Sequence, residues 1–187
     1  YYLLMINIFN SDMYWVYEIP NFDEIMNFVD EQTVIDNSKF NWGNLCKVDR
    51  IPLNRDDTAH LLKPSTDLFC QEFKTKFNFR LFDPWINLYE RGYYQEVHDH
   101  VENHLACVFF LNEGENFSDF FFFNRHSNNL NPVWFDIFPQ ISDDHWYPKV
   151  SAGHVMFFPG NMLHGVSPHN SDITRKTLSV NLNFMPL

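Results

Sequence analysis

With 187 residues, the chain has the length of one domain with a sizeable core, and a second domain is the poorer expectation. A hydrophobic share of 45% and a charged share of 20% argue against disorder, and an aromatic share of 18%, with 21 Phe, favours broad β-sheets over a helical bundle. The net charge of -11 argues against a protein that grips phosphate backbones, so we expect no nucleic-acid partner.

The sequence shows no targeting signal and no cysteine pattern that indicates a function. No stretch approaches the roughly 20 apolar residues that span a bilayer, and the opening Tyr1–Asn7 is too short and uncharged for a signal peptide. Cys46, Cys70 and Cys107 lack C-x-x-C spacing, so neither a disulfide framework nor a structural zinc site is indicated. We expect a cytoplasmic protein without membrane association.

The first part of the chain predicts mixed elements. Two short strands are expected at Met5–Phe9 and Tyr14–Ile19, followed by a helix at Asn21–Gln32, where apolar residues recur at helical spacing. A second helix is predicted at Ser65–Phe77, with Pro64 and Ser65 as its start. Residues 36–58 mix Asn, Asp, Gly and Pro and are expected to form a loop.

From Pro84 onward, short β-type runs alternate with turn residues. The predicted strands are Trp85–Glu90, Tyr94–His100, Leu105–Leu111, Phe117–Phe123, Val155–Phe158 and Thr177–Phe184. Strands of this length and spacing favour a mainly β fold, a cupin-like jelly roll or double-stranded β-helix, with flanking N-terminal helices.

We therefore expect one domain over residues 1–187. Residues 1–83 would supply N-terminal strands and supporting helices, and residues 84–187 would form the jelly-roll core that carries the chemistry. Residues 124–150 are expected to be an insertion between barrel strands, a kind of loop that often forms a substrate mouth, although nothing in its sequence identifies a substrate.

Two histidines, His98 and His100, stand two residues apart in the predicted strand Tyr94–His100. Because side chains on a strand alternate between faces, both imidazoles should project to the same side, which suits a metal ion. In a chain with nine His, such a pair alone is a weak signal.

Two later residues strengthen this signal. His164 lies where a jelly roll can bring it beside the first pair, and three ligands on one face of a metal leave open positions for other molecules. Arg175 follows His164 by eleven residues, at the head of an apolar strand, where its guanidinium could bind a ligand carboxylate bidentately inside the barrel. The other interpretation of Arg175 is a surface charge at a strand edge.

Several motifs follow one another in the second half of the chain. They are Tyr89-Glu90-Arg91-Gly92, His98-Asp99-His100, Cys107 to Asn112, Phe157-Phe158-Pro159 with His164 to Pro168, and Arg175-Lys176-Thr177. Their order and spacing resemble the 2-oxoglutarate and Fe(II)-dependent oxygenase superfamily, in its prolyl-hydroxylase-like branch. Trp85-x-Asn87, Gln95-Glu96-x-His98-x-His100 and Ser179-x-x-x-Asn183 are also similar to a group of bacterial and phage oxygenases in which H-x-H stands in place of H-x-D. The resemblance covers about Pro84 to Phe184.

The resemblance implies a non-haem iron site. His98 and His164 would be two Fe(II) ligands, and His100 would stand in the place of the usual carboxylate. That substitution leaves a more positive iron, and a bulge that turned Asp99 inward would restore a carboxylate instead.

The resemblance also implies 2-oxoglutarate as cosubstrate. Arg175, helped by the Thr177 hydroxyl, would bind its distal carboxylate, and Tyr89 would add a hydrogen bond. Trp85 and Asn87 share a strand face with Tyr89 by alternation, so both are expected to line the same cavity, and we take Asn87 as a further cofactor-binding candidate. Gln95 is either a partner that orients a ligand histidine or an exposed strand residue.

The function that follows is an Fe(II)- and 2-oxoglutarate-dependent dioxygenase, a hydroxylase that uses molecular oxygen on a protein side chain or a small molecule. One alternative is a cupin-like three-histidine dioxygenase that does not use 2-oxoglutarate, which the missing carboxylate favours and Arg175 disfavours. Another is a non-catalytic jelly-roll binding module. The acidic balance of the chain disfavours a strongly anionic substrate, unless charges near the site override it.

Overall fold

The computed structural model describes residues 12–35, 40–41, 46–73, 77–124 and 145–185. The predicted strand Met5–Phe9 and most of the predicted insertion 124–150 lie outside these ranges. The elements are β1 (Trp15–Glu18), α1 (Phe22–Ile35), β2 (Phe40–Asn41), β3 (Asp49–Pro52), α2 (Arg55–Gln71), β4 (Asn78–Tyr89), β5 (Gln95–His98), β6 (Leu105–Phe110), β7 (Phe120–Phe123), β8 (His145–Trp146), β9 (His154–Pro159), β10 (His164–Val166) and β11 (Arg175–Met185).

The strands form two sheets. A seven-stranded sheet has the order β1-β9-β6-β11-β4-β3-β2, and a four-stranded sheet has the order β5-β10-β7-β8. The strand pairs in both sheets are antiparallel. This confirms the predicted mainly β fold with helices from the N-terminal part.

The larger sheet separates two hydrophobic cores, because successive side chains of a strand face opposite sides. On one side, Ile86 and Leu178 pack with apolar residues of both helices, including Val29, Leu62 and Phe69. The other side faces the smaller sheet and carries a second cluster, which includes Phe120 and Phe158 among others. The helices thus cover one face and leave the other to the space between the sheets.

The N-terminal strands belong to the same sheet as the later strands. β1 pairs with β9, and β3 pairs with β4, so residues before position 83 extend the sheet on both flanks. The division at residue 83 remains a prediction.

The second helix begins ten residues earlier than predicted. It starts at Arg55, where the Asn54 side-chain oxygen accepts hydrogen bonds from the backbone N–H groups of Asp56 (2.9 Å) and Asp57 (3.2 Å). Pro64 lies inside the helix. An interior proline usually costs about 3 kcal/mol, and here the burial of the apolar face, which includes Leu62, offsets that cost. The start predicted at Pro64 was therefore wrong.

The predicted loop at residues 36–58 was also wrong in part, because it contains β3 and the first turn of α2. The predicted strand Tyr94–His100 is shorter than expected. β5 ends at His98, since the backbone N–H of His100 leaves the ladder and donates to Gly160 O at 2.6 Å.

The structure also describes the three cysteines and the length and polarity of the helices. In the described part of the chain, Cys46, Cys70 and Cys107 form no disulfide, and Cys46 and Cys107 are buried. In the described part of the chain, no helix is both long and apolar enough to cross a bilayer.

The cap at Asn54 gives a test of where α2 starts. Replacing Asn54 by Ala should lower the free energy of unfolding by about 0.5–2 kcal/mol, because two N–H groups lose their acceptor. Asn54→Asp, which keeps the acceptor, should stay close to wild type in the same urea titration. Equal stability of all three proteins would contradict a helix that begins at Arg55.

Candidate metal centre and its pocket

Three histidine side chains meet between the two sheets. The ligand nitrogens of His98, His100 and His164 all lie within 4.8 Å of one another. The ring centroids of His98 and His164 are 4.3 Å apart, and His100 lies 5.2 Å from each. Three imidazoles at such a distance can bind one metal ion with a small closing movement.

Strand pairing places the first two of these histidines. His98 is the last residue of β5 and His164 is the first residue of β10, and the two are direct partners in the antiparallel ladder. The register of this ladder shifts between His164 and Val166, where Glu96 and Val97 together oppose Gly165. Such bulges aim side chains beside active sites, and this one lies just before His98.

A turn, not strand alternation, positions His100. Its backbone N–H donates to Gly160 O, and its carbonyl accepts from Asn103 N at 2.8 Å. A Cβ on Gly160 would lie 2.6 Å from His100 O and still closer to Asn103 O, so only glycine fits beside this turn. The alternation argument was therefore wrong for His100, although the residue reaches the predicted cluster.

Backbone carbonyls fix which nitrogen of each strand histidine is available. His98 Nδ1 donates to Glu96 O at 2.8 Å, and His164 Nδ1 donates to Met162 O at 2.9 Å. Because a carbonyl can only accept, the proton sits on Nδ1 and the lone pair is on Nε2. Both rings therefore present Nε2 as the ligand atom. Asp99 is not a member of the cluster, which His100 completes.

The surroundings keep these histidines uncharged. Burial, followed by repulsion from the other histidines, lowers the pKa of His164 well below its usual range and that of His100 to about 4. Burial also lowers the pKa of His98, and the Arg50 charge adds to the effect. Neutral imidazoles at neutral pH are the form that binds metals.

The same pocket contains a buried arginine. Arg175, the first residue of β11, stands opposite Tyr89 of β4, with Cζ 4.9 Å from the centre of the Tyr89 ring and 5.9 Å from that of Phe110. Its side chain is buried, and its Nη1 has no hydrogen-bond partner among the described residues. Burial lowers the pKa of Arg175, but a guanidinium stays charged at neutral pH. A buried cation with an unused donor favours the binding of an anion, and this environment is unlike the strand-edge surface position considered above.

Asn87 connects several residues of the pocket wall. Its amide nitrogen donates to Thr177 Oγ1 and Ser179 Oγ, both at 3.1 Å, and its oxygen accepts from Trp85 Nε1 at 2.8 Å. The Thr177 hydroxyl, which here acts as acceptor, keeps its own hydrogen for another partner. Asn87 lines the pocket as predicted, with its side chain bonded to neighbouring protein groups.

Gln95 joins the two ends of the pocket. It is buried, its Oε1 accepts from Tyr89 Oη at 2.8 Å, and its Nε2 lies 3.2 Å from His98 Nε2. Because His98 Nε2 carries the lone pair, the Gln95 amide donates to it. Of the two alternatives considered for Gln95, its burial argues against an exposed strand residue. The Gln95 amide uses the same His98 Nε2 lone pair that a metal ion would use, so this hydrogen bond would have to break when a metal binds.

Two contributions were missed in the sequence. Gly160 was not singled out, because its role depends on contact with a turn 60 residues earlier in the chain. Arg50, which affects the histidines, lies in a segment interpreted as loop. The β-branched residues Val48 and Ile51, on either side of Arg50, were the local signs of a strand there.

The turn beside Gly160 generates a prediction. Gly160→Ala should weaken Fe(II) or Ni(II) binding by about 10- to 100-fold, since the added Cβ displaces the turn that carries His100. Calorimetric titration of the metal-free protein measures this. Gly114→Ala is the matched control, because the three atoms nearest to its Cβ would all belong to the Phe117 side chain and not to backbone. Unchanged metal affinity in Gly160→Ala would contradict the role assigned to the turn.

Comparison with known families identifies a match across the core of the fold. Residues 83–181, more than half of the chain, match the model of the family described as "Putative 2OG-Fe(II) oxygenase". A search of curated proteins gives no significant match.

Solved structures with the same fold cover most of the chain. A Pseudomonas putida prolyl-4-hydroxylase aligns with a TM-score of 0.64 at 13% identity, over 92% of this chain and 93% of that one. SnoN, an α-ketoglutarate-dependent epimerase from nogalamycin biosynthesis, gives 0.66 at 13% identity, over 93% and 78%. HygX from Streptomyces hygroscopicus, solved with nickel and 2-oxoglutarate, gives 0.67 at 10% identity, over 92% and 83%. These similarities confirm the double-stranded β-helix.

Proposed function

The chain belongs to the 2OG-Fe(II) oxygenase family, and we propose that it is an Fe(II)- and 2-oxoglutarate-dependent dioxygenase that hydroxylates its substrate. The observation that carries the proposal is the buried Arg175, whose Nη1 has no partner in the described structure, in the same pocket as the three histidines. The pocket thus combines a set of metal ligands with a cation suited to a carboxylate.

The residues present fit iron. His98, His100 and His164 would hold it through nitrogen atoms, and three ligands leave positions for a chelating cosubstrate and for oxygen. When bound together, iron and 2-oxoglutarate supply the oxidising chemistry that couples loss of CO₂ from the cosubstrate to oxidation of a substrate C–H bond.

The residues present also fit 2-oxoglutarate. The Arg175 guanidinium would bind the distal carboxylate, and the Thr177 hydroxyl would donate to it because Asn87 already uses its acceptor side. Tyr89 packs under Arg175 and donates its hydroxyl hydrogen to Gln95, while the tyrosine oxygen also interacts with the guanidinium, so Tyr89 helps to hold Arg175 in place. In this proposal, Asn87 supports the cosubstrate site by positioning Thr177.

Apolar side chains complete the pocket and exclude water from it. Val108, Phe120, Phe158 and Val166 are buried and line the same space as the histidines. A dry pocket strengthens charge interactions inside it and protects reactive species from water.

The site differs from a two-histidine, one-carboxylate arrangement. Three neutral imidazoles leave the full charge of the metal uncompensated until an anion binds. The absent carboxylate favours the alternative of a three-histidine dioxygenase that does not use 2-oxoglutarate, and Arg175 argues against it. A binding module without catalysis would not need both a set of three metal-binding histidines and a buried arginine that binds a ligand carboxylate.

The type of oxidation depends on the substrate that the pocket positions. Among proteins with this fold, SnoN is described as an epimerase and SnoK as a carbocyclase, and the Pseudomonas putida protein as a prolyl-4-hydroxylase. We propose hydroxylation of a small molecule or a protein side chain, with molecular oxygen as the second substrate, in the cytoplasm and without a nucleic-acid partner.

Arg175 provides the main test. Anaerobic titration of the Fe(II)-loaded protein with 2-oxoglutarate should produce the weak visible charge-transfer band of the chelate. Arg175→Ala should raise the half-saturating concentration about 30-fold or more, because the distal carboxylate loses a buried charged partner. Iron binding should change little, since Arg175 is not among the residues that would hold the metal. No band in the wild-type protein with iron bound would overturn the proposal in favour of the alternative that does not use 2-oxoglutarate.

A second test decides which residue completes the metal site. His100→Ala should lower iron affinity by about tenfold or more, whereas Asp99→Asn should leave it near wild type. His100→Asp, which restores a two-histidine, one-carboxylate set, should recover iron binding. The opposite pattern, with loss in Asp99→Asn and none in His100→Ala, would assign the third ligand to Asp99.

A further inference from the structure

A second cavity adjoins the metal pocket on its outer side. This cleft lies between the end of β3, the connection to α2 and the Phe82–Trp85 segment of β4, and its volume is about 870 Å³. That volume is within the range of about 300–1,000 Å³ that holds small molecules in proteins.

A bulge in β4 shapes the cleft. Phe82 pairs with Asn181 and Trp85 pairs with Ser179, so Asp83 and Pro84 are both accommodated opposite one residue of β11. Asp83 has a φ of 43°, a left-handed conformation that costs energy for a residue other than glycine. Bulges and strained residues of this kind are common beside active sites.

Trp85 is the wall shared by the cleft and the metal pocket. Its ring centre lies 6.1 Å from that of His100, and its Nε1 is held by Asn87. A molecule that lies in the cleft against this ring is therefore next to the metal ligands.

Arg50 places a positive charge beside Trp85 at the inner end of the cleft, and the lining also contains the carboxylates of Asp56 and Asp83. Arg50 stacks on Trp85 with its Cζ 4.8 Å from the ring centre, and its charge contributes to the lowered pKa of both His98 and His100. A stacked guanidinium directs its N–H groups outward in the plane of the stack, which suits a carboxylate. At the outer rim, the exposed Arg55 and Asp56 lie 3.7 Å apart and offset each other.

A polar atom in the pocket adds a second requirement. Asn181 is 8% exposed and lines the metal pocket, and its Oδ1 has no hydrogen-bond donor in the described part of the chain. A buried acceptor without a donor is costly, so a ligand N–H or O–H would stabilise it.

We propose that this cleft is the substrate site and that its substrate is a free amino acid, or its N-acyl derivative, with an apolar side chain. The carboxylate would pair with Arg50, the N–H would donate to Asn181, and the side chain would pack against Trp85 and its apolar neighbours. The assignment deepens the proposed function and rests on it. It does not conflict with the expectation that a strongly anionic substrate is disfavoured, because a free amino acid is a zwitterion and Arg50 supplies a local positive charge.

The experiment uses the full chain loaded with Fe(II) and 2-oxoglutarate. Free L-amino acids, their N-acetyl derivatives and the matching carboxamides are added in turn, and two signals are recorded: anaerobic perturbation of the chelate band and aerobic formation of succinate. At least one carboxylate with an apolar side chain should perturb the band and stimulate succinate formation. Its carboxamide should bind about 10- to 100-fold more weakly, the effect of one charge-assisted pair.

Two variants locate the effect. Arg50→Gln should raise the half-saturating concentration of the active amino acid about 10- to 100-fold, with the chelate band retained. Arg91→Gln removes the same charge from an exposed position paired with Asp172 and should behave as wild type.

Each other outcome overturns the inference. The inference fails if no carboxylate in the panel binds, or if the carboxamides bind as tightly as the carboxylates. It also fails if the Arg50→Gln variant binds the active compound with wild-type affinity. Loss of the chelate band in Arg50→Gln would instead assign Arg50 to the cosubstrate. If the wild-type protein gives no chelate band at all, the proposed function itself has failed, and this result is distinct from failure of the substrate assignment.

Discussion

The antiparallel pairing of β4 with β11 determines which side chains of the large sheet meet the pocket. Arg175 stands opposite Tyr89, Thr177 opposite Asn87, and Ser179 opposite Trp85, so one face of two adjacent strands carries the polar residues of the site. The alternate residues of the same strands pack against the helices. A shift of one residue in this register would move every polar group into the helical core, so the fold and the site depend on the same ladder.

The pocket concentrates positive charge within an acidic protein. The chain has a net charge of -11. Arg175 nevertheless lies buried in the pocket together with the uncharged histidines, and Arg50 lines the adjoining cleft. Desolvation makes these charges more effective than surface charges of the same sign. Net charge therefore describes the behaviour of the whole surface and says little about what a pocket of this kind binds.

Strand runs with alternating or continuous apolar residues were predictable from sequence, as was the type of side chain at the site. His100 shows the limit of such reasoning, because its position depends on a turn that Gly160 permits from a distant part of the chain. The start of α2 was misplaced because Pro64 is a strong local signal, while tertiary burial of the helix overrides it. Arg50 was missed because β3 has four residues, too few for a periodic pattern, and becomes a strand only by pairing with β4.

The two ends of the pocket differ in how firmly the backbone holds them. β11 pairs with a strand on each side, whereas β5 has four residues, lies at the edge of the smaller sheet and carries His98 as its last residue. Edge strands of this length open by local fluctuations that require little free energy compared with global unfolding. Amide hydrogen exchange should therefore be fast around His98 and slow along β11, so a metal ion at the proposed site could be released or acquired while the strand that carries Arg175 stays folded.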